Sequence, residues 1–206
     1  MSKKIIINIG RQFGSGGKAV AEELGKRLGI KVYDKELIKI AAKESGFSES
    51  LFTFRDEKRR FWKISNIFGS NRYGVGSSQA GLNDGEIFKI MSGVIRDIAG
   101  KESAIFVGRA ANYVLRDFDC CLNVFITAPM AFRRAKIAAS EGISEEKAEE
   151  YIYRKDKARA EYYNFFTFGH WGKSVEYDLC IDASKLGAEK TADIIIDLAR
   201  KLDMIQ

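Results

Sequence analysis

A three-layer α/β domain, with a parallel sheet covered by helices on both faces, is the fold class that this sequence predicts. Three observations predict it. The chain opens on a β-branched apolar run, passes through a glycine-rich loop and enters an amphipathic helix. Short apolar runs and helical periodicities then alternate to the end, the order that produces a parallel sheet. The 206 residues, 46% apolar and 30% charged, suit one ordinary hydrophobic core. The only proline is Pro129, and no repeat or low-complexity tract divides the chain, so residues 1–206 are read as a single domain.

Lys4 to Ile9 is almost wholly apolar, as a strand buried on both faces must be. The loop Gly10-Arg-Gln-Phe-Gly-Ser-Gly-Gly-Lys18 follows. Val20, Leu24 and Leu28 recur at four-residue spacing among Glu22, Glu23, Lys26 and Arg27, which predicts a helix ended by Gly29. Lys31 to Tyr33 reads as a short second strand closed by Asp34, and a helix is expected over Lys35 to Glu44. Phe54 to Leu82 mixes charges, aromatics and a Gly/Ser cluster, and reads as a mobile insertion. Asn83 or Asp84 is placed to cap a helix reaching about Ala99. Strands are expected at Ala104 to Val107 and Cys121 to Thr127, with helices over Ala131 to Ser140 and from a Ser144 cap to about Tyr163. Leu179 to Ile181 is the last strand. Ile195, Leu198, Ala199 and Leu202 then put one apolar face on a final helix, Ala188 to Leu202.

Composition excludes several classes of function. No apolar run approaches the ~20 residues of a membrane span, and the short run at Ile5 to Ile9 lacks a secretory cleavage site. A cytoplasmic protein with no membrane partner is therefore expected. The three cysteines, Cys120, Cys121 and Cys180, suit neither a disulfide framework nor metal-ligand spacing. A single histidine, His170, excludes a zinc site built from several histidines and is expected to pack among the aromatics around it. The net charge of +6 favours anionic partners. The excess is local, since residues 1–34 carry seven basic and three acidic side chains and residues 53–73 carry six and two. Because these basic residues follow loops instead of lining one face, phosphorylated small molecules are preferred over nucleic acid as partners.

Ligands of parallel sheets gather outside the carboxyl ends of the strands. The loops after Ile9, Tyr33, Val107 and Thr127 are thus expected to share one crevice holding Lys18, Asp34, Arg109, Arg133 and Arg134. Gly14, Ser15, Gly16, Gly17, Lys18 and Ala19 offer successive backbone N–H groups at a helix N-terminus, a setting that favours phosphate. Against the pattern G-x-x-x-x-G-K-[ST] the match is partial. Gly17-Lys18 is present, but Gln12 stands at the first glycine and Ala19 at the hydroxyl position; sliding by one residue to follow the helix puts Gly17 at the lysine. Either register lacks the side chain that holds magnesium. The same residues also read as G-x-G-x-x-A, using Gly14, Gly16 and Ala19, with Asp34 where a ribose-binding acid stands in dinucleotide sites. That reading is weaker, because four residues separate Ile9 from Gly14. Arg109, Arg133, Arg134, Arg154 and Arg159 also supply the cations that phosphoryl transfer needs and hydride transfer does not.

Five blocks in order resemble the cytidylate kinase-like family, of the P-loop nucleoside monophosphate kinase type. They are Ile7-Asn-Ile-Gly-Arg-Gln-Phe-Gly-Ser-Gly-Gly-Lys18 with Val32-Tyr-Asp-Lys-Glu-Leu-Ile38, then Phe106-Val-Gly-Arg-Ala110, then Leu122-Asn-Val-Phe-Ile-Thr-Ala128 with Phe132-Arg-Arg134. Asp156-Lys-Ala-Arg159 and Tyr177-Asp-Leu-Cys-Ile-Asp-Ala-Ser184 complete the set. The resemblance implies a P-loop NTPase-like fold and transfer of a phosphoryl group from ATP to a nucleoside monophosphate or another small acceptor. It also implies magnesium, although Ala19 leaves the loop without its hydroxyl ligand, and a lid that closes to exclude water. The site residues it implies are Gly14 to Ala19 around the donor phosphates, Lys18, Arg134 and Arg159 as catalytic cations, and Asp34, Arg109, Arg154 and Asp156 toward the acceptor. The acceptor-binding insertion falls at about 54–82 and the lid at about 141–173.

The chain departs from the family pattern at Ala19, at Ala110 after the Gly-Arg block, and at Ile152, four residues before Asp156, where cytidylate kinases carry an arginine. Arg154, or Arg55, Arg59 or Arg60 of the insertion, is the candidate to replace that arginine. The aromatics Tyr162, Tyr163, Phe165, Phe166, Phe168 and Trp171 are expected to pack the lid. A nucleotide-binding or sensing protein that keeps the fold and drops the chemistry stays open beside the kinase reading.

Overall fold

The N-terminal apolar run forms the centre of the sheet. In a computed structural model, which describes residues 4–49 and 83–205, strand β1 (Ile6–Arg11) pairs in parallel with β3 (Ala104–Val107) on one side and β4 (Cys121–Thr127) on the other. Beyond them lie β2 (Lys31–Tyr33) and β5 (Leu179–Asp182), giving the order β2-β3-β1-β4-β5, parallel throughout. Ile7 stands beside Ile105 and Leu122, and Ile9 beside Val107 and Val124. Such continuous apolar runs are what a strand covered on both faces requires.

The two faces are covered by different helices. On one, Ile7, Ile9, Ile105 and Leu122 meet Val20 and Leu24 of α1 (Gly17–Leu28) and Ile195 and Ala199 of α7 (Gly187–Lys201). On the other, Ile6, Ala104 and Phe106 meet α2 (Glu36–Ser45) through Leu37 and Ala41, and α3 (Asp84–Lys101) through Met91 and Ile95. Asn83 starts α3 with a capping box, its side chain accepting from Glu86 N while the Glu86 carboxylate accepts from Asn83 N. A third small cluster joins α5 (Met130–Glu141) to α6 (Glu145–Thr167) through Ile137, Ala148 and Ile152, with Phe13 packed against it.

The five strands lie where the sequence puts them, within a residue or two at each end. Two features differ. Helix α4 (Ala111–Val114) is too short to leave a periodic signature, and α6 runs to Thr167, four residues past the expected end. His170, expected to pack, is instead exposed in the turn after α6, where its backbone N donates to Glu176 Oε1 at 3.1 Å. The insertion expected at 54–82 lies outside the described residues. No helix among the described residues is long and apolar enough to cross a membrane.

Candidate functional site

The glycine loop takes its shape from groups beneath it. Gln12 N donates to Ile126 O at 3.0 Å, and the Gln12 carbonyl of its side chain accepts from Ala128 N at 3.2 Å and from the Thr127 hydroxyl, pinning the loop to the end of β4. The Ser15 hydroxyl donates to Gln12 O at 2.9 Å and is buried, so it closes the loop on itself. Phe13 is held at both backbone atoms, its N donating to Asp156 Oδ1 at 2.7 Å and its O accepting from Arg133 Nη1 at 3.2 Å. Arg133 and Asp156 then pair at 2.6 Å with side chains only 6% and 16% exposed. Arg159 Nη1 donates to Arg11 O at 3.0 Å, and its guanidinium lies 5.4 Å over the Phe13 ring.

With the loop fixed from below, α1 begins at Gly17. Gly16 stands before it at φ 91°, a conformation that a side chain disfavours, and no side chain caps this end. Helix geometry leaves the first-turn N–H groups without partners inside the helix. These donors, and the positive end of the helix dipole, suit an anion in the space above.

That space is a cavity of about 670 Å³. Gly14, Gly16, Gly17, Lys18 and Ala19 border it on one side, and Asp34, Gly108 and Arg109 on another. The Gly108 turn is strained, since Gly108, Arg109 and Ala110 take φ values of 80°, 60° and 53° in succession. Left-handed backbone at two consecutive non-glycine residues is costly and concentrates at functional sites. The far wall is formed by Asn8, Asn112, Tyr163, Trp171 and Tyr177. Asn112 Nδ2 donates to Tyr163 Oη at 2.9 Å, and Tyr163 Oη donates to Glu176 Oε2 at 3.1 Å.

Burial raises the Tyr163 phenol from its ordinary 10.0 to about 12, with the Glu176 carboxylate adding to the shift. Burial pushes Tyr177 up as well. Both therefore keep their protons at neutral pH and present hydrogen-bonding O–H groups. The fold favours the protonated form of Tyr163, so the stability it contributes is complete below pH 10.0 and disappears as pH rises toward about 12. Urea midpoints measured from pH 9 to 12 are expected to fall less steeply in Tyr163→Phe than in the parent. Equal slopes would count against this.

Of the residues singled out in the sequence, Gly14, Gly16, Gly17, Lys18, Ala19, Asp34, Arg109 and Arg159 come together around the cavity, and Ser15 supports its floor. Others are turned elsewhere. Asp156 faces the backbone of Phe13 and Arg133 rather than the cavity. Arg134 pairs with Glu145 at 2.8 Å and Glu149 at 2.9 Å on α6. Arg154 lies 5.2 Å over the Tyr151 ring on the exposed side of α6, and Ile152 is fully buried between α5 and α6. Lys18 borders the cavity, but its Nζ is 3.5 Å from Glu22 and its side chain is 67% exposed. In the aromatic run, Phe166 stacks on Phe88 of α3 at 4.3 Å, while Phe168 is 90% exposed.

Four cavity cations, Arg11, Lys35, Lys136 and Lys155, were not singled out by sequence. Arg11 borders the cavity with its Nη2 3.5 Å from Asp34 Oδ1, and Lys136 of α5 reaches toward Gly16. A signal for Arg11 existed, since it is the residue at which the strand pattern meets the glycine loop. Lys136 had none, because its place depends on how α5 crosses the loop.

A parallel sheet whose central strand runs through a glycine loop into its first helix, with helices on both faces, is the architecture of a P-loop kinase-like α/β protein. The chain belongs to the cytidylate kinase-like family, whose model matches residues 6–185. It is 24% identical over 204 residues to a cytidylate kinase of Pyrococcus horikoshii, covering 98% of this chain and 92% of the relative. Among solved structures, an uncharacterized protein from Eubacterium ventriosum is similar at a TM-score of 0.72 and 29% identity, over 96% of this chain and 99% of that one. A shikimate kinase from Bacteroides thetaiotaomicron is similar at a TM-score of 0.55, over 97% and 98% of the two chains; at 11% identity this is a likeness of fold.

Proposed function

We propose that this protein is a phosphotransferase that moves the γ-phosphoryl group of ATP to a nucleoside monophosphate or a related small acceptor. One observation carries the reading: the glycine loop at the start of α1 and the strained Gly108-Arg109 turn open into the same cavity. Donor phosphates suit the N–H groups of the loop, and an acceptor phosphate suits Arg109. An acceptor oxygen attacks the γ-phosphorus, the bond from that phosphorus to its bridging oxygen breaks, and ADP leaves with the electron pair. The chain's part is positioning and charge neutralisation, with Arg109 and Arg159 bordering the space in which charge spreads. The Asn112, Tyr163 and Tyr177 wall offers neutral hydrogen-bonding groups to the rest of the acceptor.

Magnesium fits the loop poorly. Counted from the end of β1, the loop reads with Lys18 instead of Ala19 at the position of the hydroxyl, and an ammonium group there offers no ligand. This favours a second reading, a nucleotide-binding protein that does not turn its ligand over. ADP release measured with ATP and each nucleoside monophosphate, and with shikimate, separates the two. Turnover with one acceptor is expected. Measurable ATP binding with no turnover for any acceptor would leave only the second reading.

A further inference from the structure

We infer that Arg11 provides the phosphate-facing cation that P-loops otherwise carry on the first turn of the helix. The inference rests on the donor-phosphate reading above. Counting G-x-x-x-x-G-K-[ST] from the last residue of β1 puts Arg11 at the first glycine, Gly16 at the second, Gly17 at the lysine and Lys18 at the hydroxyl. The first and seventh positions have exchanged character: a cation stands where the pattern has glycine, and a glycine where it has lysine.

The exchange is enforced by space. A Cβ placed on Gly17 would lie 2.6 Å from Arg11 Cβ and 3.0 Å from Arg11 Cγ. Side chains at the two positions exclude one another, because their first carbons would occupy the same space. The structure fills that space from residue 11. Lys18 does not restore the missing charge to the same spot, since it projects from the next helical position toward Glu22.

Coming from the strand changes where the charge arrives. A Cβ on Gly108 would collide with Arg11 Nη1 and lie 3.1 Å from Arg11 Cζ, so the guanidinium rests on the Gly108 turn. Asp34, 3.5 Å from Nη2, fixes its other edge, and the side chain is only 19% exposed. The head thus stands between the glycine loop and the turn that carries Arg109, and all three border one cavity. A guanidinium presents a planar fork of donors and engages two phosphates at once, whereas an ammonium is a point charge. Arg11 spans the terminal phosphate of the donor and the phosphate of the acceptor, and neutralises both as they approach.

The test is an exchange in reverse. ATP affinity, measured by calorimetry on the full chain, is expected to fall at least tenfold in R11G and to return to within threefold of the parent in R11G/G17K, which puts glycine back at the first position of the pattern and lysine at the seventh. An R11G protein that binds ATP within threefold of the parent overturns the inference. So does a folded R11G/G17K protein, judged by its thermal midpoint, that binds no better than R11G. If R11G does not fold, R11K decides: ATP affinity within threefold of the parent with kcat/KM reduced at least tenfold supports the two-phosphate role, and unchanged kcat/KM overturns it. Arg11-dependent ATP binding in a protein that phosphorylates no acceptor would remove the kinase reading and leave the assignment of the cation in place.

Discussion

Replacing Asp156 by alanine is expected to lower the unfolding free energy by about 3–5 kcal/mol, the usual cost of stranding one partner of a buried ion pair. Arg133 has a side chain 6% exposed, so water does not replace the lost carboxylate. Phe13 N loses its acceptor in the same step, because Asp156 Oδ1 receives it at 2.7 Å. Denaturant titration measures the loss, and two companions identify its cause. Asp156→Asn keeps the shape but not the charge, and is expected to lose most of the same stability. Arg133→Met with Asp156→Leu removes both charges and is expected to recover at least half of it, since an apolar pair of similar volume replaces a buried ion pair at little cost. A loss below about 1 kcal/mol in Asp156→Ala would show that the pair is solvated and does not hold the loop.

Replacing Arg109 by glycine is expected to weaken acceptor binding without weakening the fold. Acceptor KM rises about a hundredfold, because two charge-assisted hydrogen bonds at roughly 1.5 kcal/mol each, the low end of their range, amount to about two powers of ten. Stability holds or rises by up to about 1 kcal/mol, since Arg109 has φ 60° and glycine adopts that backbone without strain. Steady-state kinetics with whichever acceptor turns over, alongside a thermal melt, reads both. An unchanged KM would dissociate Arg109 from the acceptor, and a large drop in stability would mean that its side chain supports the fold.

Most of the architecture was legible in the sequence because buried parallel strands write themselves as apolar runs. Ile5 to Ile9, Ala104 to Val107 and Cys121 to Thr127 each did so, and their alternation with helices implied the shared crevice. The family resemblance rested on the blocks that hold these strands and the loops after them. What failed to show was anything decided by contact between distant segments. Asp156 pairs with Arg159 at 3.8 Å, as their spacing allows, but its shorter bonds go to Phe13 and Arg133, 143 and 23 residues away. Arg134 sits beside Arg133 in sequence, but one is buried under the loop and the other is tied to α6. Periodicity cannot separate two adjacent arginines when the difference depends on which way α5 faces. The register of the glycine loop was open for a different reason: Gly16 and Gly17 both satisfy the pattern, and only the end of β1 and the start of α1 choose between them.

The grip of Asp156 and Arg133 on Phe13 has a consequence for how the molecule is assembled. Contacts across so long a stretch of chain form only after the intervening segments have come together. The segment around Phe13 acquires its final shape once β4, α5 and α6 are in place. A nascent chain that has made β1 and α1 alone has every glycine of the motif and no grip on their arrangement.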